Sequence, residues 1–327
     1  MMTFLPISFT ARRPEECCKT VRNWEDVGQS LDPPFTFLGL PESPGGAEAA
    51  RVCIWPIPYE STTSYRAGTR NGPQSLLDAS RYVETYDEEL DWDLTAISIA
   101  TLPGVGPTLG AAELMMDRIE ELAGRIVRPG RMIIAVGGEH AITAPLVRAH
   151  ARVFPDLTVV QLDAHADLRD TYEGTGAGHA STMRRVNEVA PIVAIGVRSI
   201  SEEEVSWLRA GEGSRPNPIK LIFAQRMRRQ PGLLAERLAE LRGNVYLTVD
   251  LDVFDPGLVP GVGTPEPGGM TWDGVLDVVS AIVRSGTIVG ADVVELAPVP
   301  GTVVSEFVAA RLVAKLIAYC FGPSTGE

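Results

Sequence analysis

Acidic and imidazole side chains recur in this 327-residue chain just past the ends of short apolar runs. Glu139-His140 follows RMIIAVGG, Asp163-Ala164-His165-Ala166-Asp167 follows LTVVQL, Asp250-Leu251-Asp252 follows NVYLTV, and Glu295 follows TIVGADVV. There are four histidines, and His140, His165 and His179 belong to this set. His150 lies in a helical stretch, where a packing or surface role is expected.

Asp163, Asp167, Asp250 and Asp252 would bring four negative charges to one place. Like carboxylates at close range raise one another's pKa, and burying them unpaired is costly. Two divalent cations would cancel that charge, with His140 and His165 completing the shells as neutral donors. Residues two apart on a strand share a face at a separation of roughly 6.6–7 Å. Paired catalytic metals sit about 3.5–4 Å apart, so Asp250 and Asp252 can both reach such a pair. Asp163 and Asp167 would be about 13 Å apart in extended chain, so the backbone is expected to curl out of the strand there. A lone DxD or GGxH says little. DxHxD directly after an apolar run, with GGxH before it and DxDxxDP after it, is specific. Asp255-Pro256 alone reads as a turn. Oxygen-rich ligation with two imidazoles suits Mn²⁺ better than a structural zinc, while Ni²⁺, Co²⁺ or Fe²⁺ would also fit.

The elements that must position these residues are legible in the periodicity. Candidate strands are RVCIWPI, LTAISIA, RMIIAVGG, LTVVQLDA, PIVAIGV, IKLIFA, NVYLTVD and TIVGADVVEL. Between them lie amphipathic stretches such as AAELMMDRIEELAGRIV, with Leu114, Met115, Ile119, Leu122 and Ile126 at helical spacing, and PGLLAERLAELR. A last helix is expected over roughly 302–319. Nearly all-apolar strands separated by helices imply a mostly parallel sheet covered on both faces, with ligands beyond the carboxyl ends of its strands. Residues 1–48 are polar and carry Pro33-Pro34 and the run PESPGG, which predicts an irregular N-terminal extension before a catalytic domain over 49–327.

Composition narrows the classes. Acidic residues outnumber basic ones 42 to 29, for a net charge of −13, which argues against a nucleic-acid binder, since that would need a basic stripe. Apolar residues make up 45% of the chain, enough for a large core. Cys17, Cys18, Cys53 and Cys320 include an adjacent pair and no CxxC, which reads as reduced thiols in a cytoplasmic protein. The N-terminus lacks the pattern of a signal peptide, and the charge-poor stretch around 94–112 is broken by Pro103 and Pro107, so no membrane span is expected.

At the ionisable motifs the sequence resembles the ureohydrolase family of arginases and agmatinases. The resemblance is carried by GGEHAIT (137–143), DAHADLRD (163–170), GHASTMRR (178–185), TVDLDVFDPGLVPGVGTPEPGG (248–269) and ADVVEL (291–296), and reaches upstream to PYESTTSYRAGTRNGPQSLLDASRYVETYD (58–87). It implies the three-layer α/β/α arginase-like fold, a homo-oligomer (trimer or hexamer), and a site for two Mn²⁺ ions. His140, Asp163, His165, Asp167, Asp250 and Asp252 would be the metal ligands, with Asp163 and Asp250 bridging. Glu295 would bind the guanidinium group, Asp167 would orient the nucleophile, and His179 would handle the proton. The implied reaction is attack of a metal-bridging hydroxide on a guanidinium carbon. Agmatine, giving putrescine and urea, is the leading substrate, alongside other decarboxylated guanidines such as aminopropylagmatine. The alternatives are a guanidino acid (guanidinobutyrate or guanidinopropionate), arginine, or a catalytically silent regulatory paralogue. A deacetylase-like hydrolase with one zinc is a further rival, against which the second aspartate–histidine set argues.

Several positions depart from the family pattern. GGEH stands for the commoner GGDH, and Gly178 precedes His179 where serine is frequent. LAPVPG follows Glu295 in place of a tyrosine–aspartate pair common in agmatinases. Arg169 occupies the position at which arginases carry an asparagine that reads the substrate's α-carboxylate. Arg169 could meet a substrate carboxylate, or Asp170 or Glu173.

Overall fold

Runs such as MIIAVG and IVAIGV are apolar at every position, as strands buried on both faces must be. In the computed structural model, which describes residues 35–42, 45–211, 216–230 and 232–323, these runs build one eight-stranded sheet. The strands are β1 (Val52–Ile57), β4 (Ile99–Thr101), β5 (Met132–Gly137), β6 (Thr158–Leu162), β7 (Ile192–Val197), β8 (Ile219–Phe223), β9 (Asn244–Asp250) and β10 (Thr287–Val294). A separate antiparallel ribbon pairs β2 (Tyr86–Asp87) with β3 (Trp92–Asp93). The sheet order is β4-β1-β5-β10-β9-β6-β7-β8, and every neighbouring pair is parallel.

Alternation along the strands sorts the apolar side chains into two cores. Ile54, Ile134, Val160, Leu247 and Val293 face one layer of helices, which includes Gly72–Ser80, Trp272–Ser285 and Val304–Phe321. Cys53, Ile133, Val159 and Tyr246 face the other, which includes Ala112–Ile126 and Thr143–Val153. The result is the three-layer α/β/α arrangement expected from the sequence.

Register decides where the chemistry goes. Val136 pairs with Val293, Val293 with Val249, and Val249 with Leu162, so one row crosses the four central strands. Glu139-His140, Glu295, Asp250 and Asp163 all lie just beyond that row, at one carboxyl edge.

Some expectations shift. Of LTAISIA only Ile99 and Ala100 are strand, at the start of β4; Leu94–Ala96 forms a 3₁₀ turn whose N-cap, Asp93, accepts from Thr95 N at 2.8 Å. In the helix Ala112–Ile126 the buried stripe is Met115, Met116, Ile119 and Ala123, while Leu114 is half exposed. At 3.6 residues per turn Met116, Ile119 and Ala123 share a face from which Leu114 is rotated. The last helix runs Val304–Phe321. The 1–48 extension lies largely outside the described residues, as do Cys17 and Cys18. Of its described part, Phe37 and Leu38 are buried in the first core. Among the described residues Cys53 and Cys320 are free thiols, and no helix is long and apolar enough to cross a membrane.

The helix Val304–Phe321 is tied to the β2–β3 ribbon by a buried cation. Lys315 Nζ donates to Asp87 Oδ1 at 3.0 Å and to Glu89 Oε2 at 2.9 Å. Burial opposes the charge, yet Asp87 and Glu89 hold the ammonium above its ordinary range. A cation whose folded-state pKa is raised contributes stability that is present at neutral pH and lost only as pH rises through the folded value. Lys315→Met leaves Asp87 buried without its partner and is expected to cost about 3–5 kcal/mol, read as a lower urea midpoint. The deficit should be large at pH 7 and shrink above the lysine range; a midpoint within experimental error of the parent at pH 7 would show that the contact carries no stability.

Candidate metal centre

Strand β5 ends at Gly137, and glycine is needed at the next position, 138, because a Cβ there would lie 1.9 Å from Tyr59 O. The chain then enters a 3₁₀ turn, His140–Ile142, that runs into the helix Thr143–Val153 and drops the His140 ring into the sheet edge. Beyond β6 the chain leaves the extended conformation, and Asp167 takes a φ of 54°. That left-handed step, uncommon for a non-glycine residue, folds Asp167 back beside Asp163. At the end of β9, Asp250 caps the 3₁₀ turn Leu251–Val253 by accepting from Asp252 N at 2.9 Å. Glu295, directly after β10, also has a positive φ, 66°.

These steps converge six side chains. His140 Nδ1 lies 3.1 Å from Asp163 Oδ2, 3.0 Å from Asp167 Oδ2 and 3.5 Å from Asp250 Oδ2. His165 Nδ1 lies 2.8 Å from Asp252 Oδ2 and 3.7 Å from Asp163 Oδ1. Two triads have ligand atoms close enough to share an ion: His140, Asp163 and Asp250, and Asp163, His165 and Asp252. Asp163 belongs to both. All but His165 are buried, and Asp163 is completely inaccessible.

The acid groups are held by donors behind them. Asp163 accepts from Gln161 Nε2 at 2.7 Å and from His165 N at 2.6 Å, and Asp252 accepts from Ala164 N at 3.0 Å. His140 Nε2 sits 2.9 Å from Thr248 Oγ1, whose hydroxyl donates to Asp292 Oδ1 at 2.5 Å. With its own proton on Asp292, Thr248 accepts from His140, which places a ring proton on Nε2 and turns Nδ1 towards the carboxylates. Asp292 also takes the hydroxyls of Thr143 and Tyr246.

The electrostatics show what this cluster lacks. Burial, with the charges of Asp252, Asp163 and Glu295 added, pushes Asp250 well above the usual carboxylate range. Burial and the charge of Asp163 raise Asp167 to about 7. Burial opposes a charged ring, yet Asp163 and Asp252 hold His165 up at about 12, and Asp163 and Asp167 raise His140 likewise. Asp163 is lowered against its burial by the two imidazoles. The cluster therefore calls for positive charge at its centre. His140 Nδ1, a buried atom without a hydrogen-bond partner, faces three carboxylates and could satisfy at most one of them with a proton. Divalent cations would meet all of them, and the oxygen-and-imidazole donor set fits such ions.

The cluster floors a cavity of about 240 Å³ whose lining includes His140, His165, Asp167, His179, Arg169 and Glu295. Glu295 Oε1 accepts from His140 N at 2.7 Å, and burial with the charge of Glu139 raises its carboxyl well above the ordinary range. His179 opens the 3₁₀ turn His179–Ser181; burial, with His140 and His165 nearby, lowers it to about 4. Arg169 stands at the rim over the Tyr172 ring, 3.8 Å from Glu203. His150 is buried on the other side of its helix, 4.9 Å from the Tyr246 ring, away from the cavity.

Other residues at the site escape sequence reasoning. Arg198 donates to the carbonyls of Asp252, Phe254 and Glu266, joining two loops at the sheet edge. Thr248 and Asp292 lie one alternation step behind Asp250 and Val294, a period-2 signal that could have flagged them. Thr62, 117 residues from His179, has no local signal at all.

The Arginase family model matches residues 50–319. The N(1)-aminopropylagmatine ureohydrolase of Synechocystis sp. is 41% identical over 295 residues, covering 88% of this chain and 94% of the relative. The agmatinase of Bacillus anthracis is 35% identical over 257 residues, covering 77% and 85%. Among solved structures, the agmatine ureohydrolase of Thermoplasma volcanium aligns with a TM-score of 0.74 and 31% identity, covering 84% of this chain and 91% of that one.

Adding manganese to chelator-treated protein is expected to raise its thermal midpoint, since a ligand that binds only the folded state adds about 2.7 kcal/mol at a hundred times its Kd. Asp163→Ala removes the residue common to both triads and should abolish the rise. A midpoint indifferent to manganese in the parent would contradict the fit.

Proposed function

The chain belongs to the arginase family of hydrolases, and from that premise we propose that it releases urea from a decarboxylated guanidine, with agmatine, giving putrescine, as the first candidate. The observation that carries this reading is the buried Glu295 carboxylate beside the aspartate–histidine cluster. With Oε1 taken by His140 N, Oε2 remains for the N–H edge of a guanidinium cation. The rest of the cavity agrees with a cationic substrate. Arg66 donates to Pro298 O, and Arg169 lies against Tyr172 and Glu203. A second substrate, N1-aminopropylagmatine, is favoured by the 41% identity to an enzyme named for it.

His140, Asp163, Asp167 and Asp250 would hold one divalent ion, and His165, Asp252 and the shared Asp163 and Asp250 the other, with Mn²⁺ the proposed metal. Such a pair supplies Lewis acidity that lowers the pKa of water from 15.7 towards about 7. The residues do the rest. A guanidinium carbon is a poor electrophile, its charge spread over three nitrogens. Glu295 fixes that planar cation, and Asp167 accepts a hydrogen bond from the attacking water and aims it at the carbon. Carbon–nitrogen cleavage then yields urea and an amine that must leave with a proton. His179 is neutral near pH 7, so it can take up, at a ring nitrogen, the proton that the attacking water gives up and hand it to the leaving nitrogen.

A urea-release screen with manganese-loaded protein over agmatine, aminopropylagmatine, arginine, guanidinobutyrate and guanidinopropionate should favour the two decarboxylated guanidines. Preference for a guanidino acid would instead turn Arg169 into a carboxylate-binding residue. Asp250→Ala is expected to lose turnover and metal loading together. His179→Ala should keep its metal while kcat falls by roughly 10²–10⁴-fold, the usual worth of a general acid or base. Parent-like kcat in that variant would remove His179 from the reaction.

A further inference from the structure

Behind His179 lies a chain of hydrogen bonds that ends on the glutamate of the GGEH motif. Glu139 is fully buried, and its carboxylate faces the 61–64 loop. Its Oε2 accepts from Ser61 N at 2.9 Å and Thr62 N at 2.8 Å, and its Oε1 accepts the Thr62 hydroxyl at 2.9 Å. Thr62 Oγ1 in turn meets His179 N at 3.2 Å and His179 Nδ1 at 3.1 Å. The close approach depends on Gly178, where a Cβ would stand 2.9 Å from Thr62 Oγ1.

A hydroxyl has one proton and two lone pairs. With the Thr62 proton committed to Glu139, both lone pairs must be met by donors. His179 N–H supplies one, and His179 Nδ1 must carry a hydrogen to supply the other. The neutral ring is then bare at Nε2, the nitrogen nearest Ser64 Oγ at 3.4 Å. We propose that Glu139, acting through Thr62, is a positioning residue that fixes the tautomer of His179, so that Nε2 is the nitrogen that picks up and delivers the proton. The inference deepens the proposed reaction and rests on its assignment of His179 as proton carrier.

Glu139→Gln tests it without changing shape. The backbone N–H groups of Ser61 and Thr62 both need an acceptor, so the amide oxygen must take the Oε2 position and the NH₂ group the Oε1 position. That NH₂ donates to Thr62, whose own proton must then turn to His179 Nδ1, which moves the ring hydrogen to Nε2. The measurement is the pair of imidazole ¹⁵N shifts of His179 in full-length protein free of paramagnetic ions, assigned with His179→Ala; four histidines keep the spectrum simple. The parent and Thr62→Ser are expected to show a protonated Nδ1 and a bare Nε2, and Glu139→Gln the reverse. Thr62→Val, which has no hydroxyl, should lose the single-tautomer pattern even if Glu139→Gln fails to fold. A wrong tautomer can cost up to about 10⁴-fold in a histidine-dependent reaction, so kcat of Glu139→Gln should fall at least tenfold with little change in KM. Identical shifts in parent and Glu139→Gln would overturn the relay, as would reversed shifts with undiminished kcat. Full activity of His179→Ala is a different failure: it refutes the proton-carrier assignment, while the nitrogen shifts still decide whether Glu139 sets the tautomer.

Discussion

The central constraint is the repulsion among carboxylates taken out of water at one edge of the sheet. Asp163, Asp167, Asp250 and Asp252 would each be stable in solvent, but they are almost wholly buried, and burial with the charges of Asp163 and Asp252 raises the proton affinity of Asp250, as burial with the charge of Asp163 raises that of Asp167. Within the cluster, the imidazoles of His140 and His165 are set against this charge. Backbone N–H groups and a glutamine amide surround the cluster and orient the carboxylates, whose two triads could each hold a cation. The parallel sheet makes this possible, because its four central strands end at the same height and each delivers its polar residues where the apolar run stops.

Much of this was readable beforehand for a physical reason. A strand buried on both faces carries few polar residues within it, and those are hydrogen-bonded, so an abrupt change from VVQL to DAHAD marks both the strand's end and a site. The three layers and the parallel sheet followed from the same runs. Where side chains decide an element, prediction slipped: LTAISIA has the composition of a strand, but Asp93 caps Leu94–Ala96 into a turn. Leu114 fits a helical spacing, yet the stripe that meets the core runs through Met116. The Glu139–Thr62–His179 contacts were invisible, because three distant segments meet there only after the sheet is assembled. The glutamate itself stood out as a departure from the commoner aspartate, and its reach across to the 61–64 loop gives that departure a physical meaning.

Backbone strain is placed at the same edge. Asp167 and Glu295 both occupy left-handed conformations that non-glycine residues visit at a cost of order 1–3 kcal/mol. In each case the neighbouring chain holds the strained residue in place: Met183 N and Arg184 N donate to Asp167 O, and Glu295 N donates to Gly138 O at 2.8 Å. Arg198 performs the corresponding task for the 252–254 turn by gathering carbonyls that would otherwise be unmatched. The backbone that carries the side chains facing the cavity is thus fixed by its own hydrogen bonds, as pre-organised chemistry requires.

Because Asp163 belongs to both triads that could hold an ion, two ions bound there would not be independent. Its carboxylate has a fixed capacity to share electron density, so whatever one bound ion drew from it would be withheld from the other. An exchange of His165 for a softer or harder donor would therefore be felt across the aspartate, at the seat that His140 serves. Ion preference at such a pair would be a property of the couple, and one half could be retuned only by re-matching its twin.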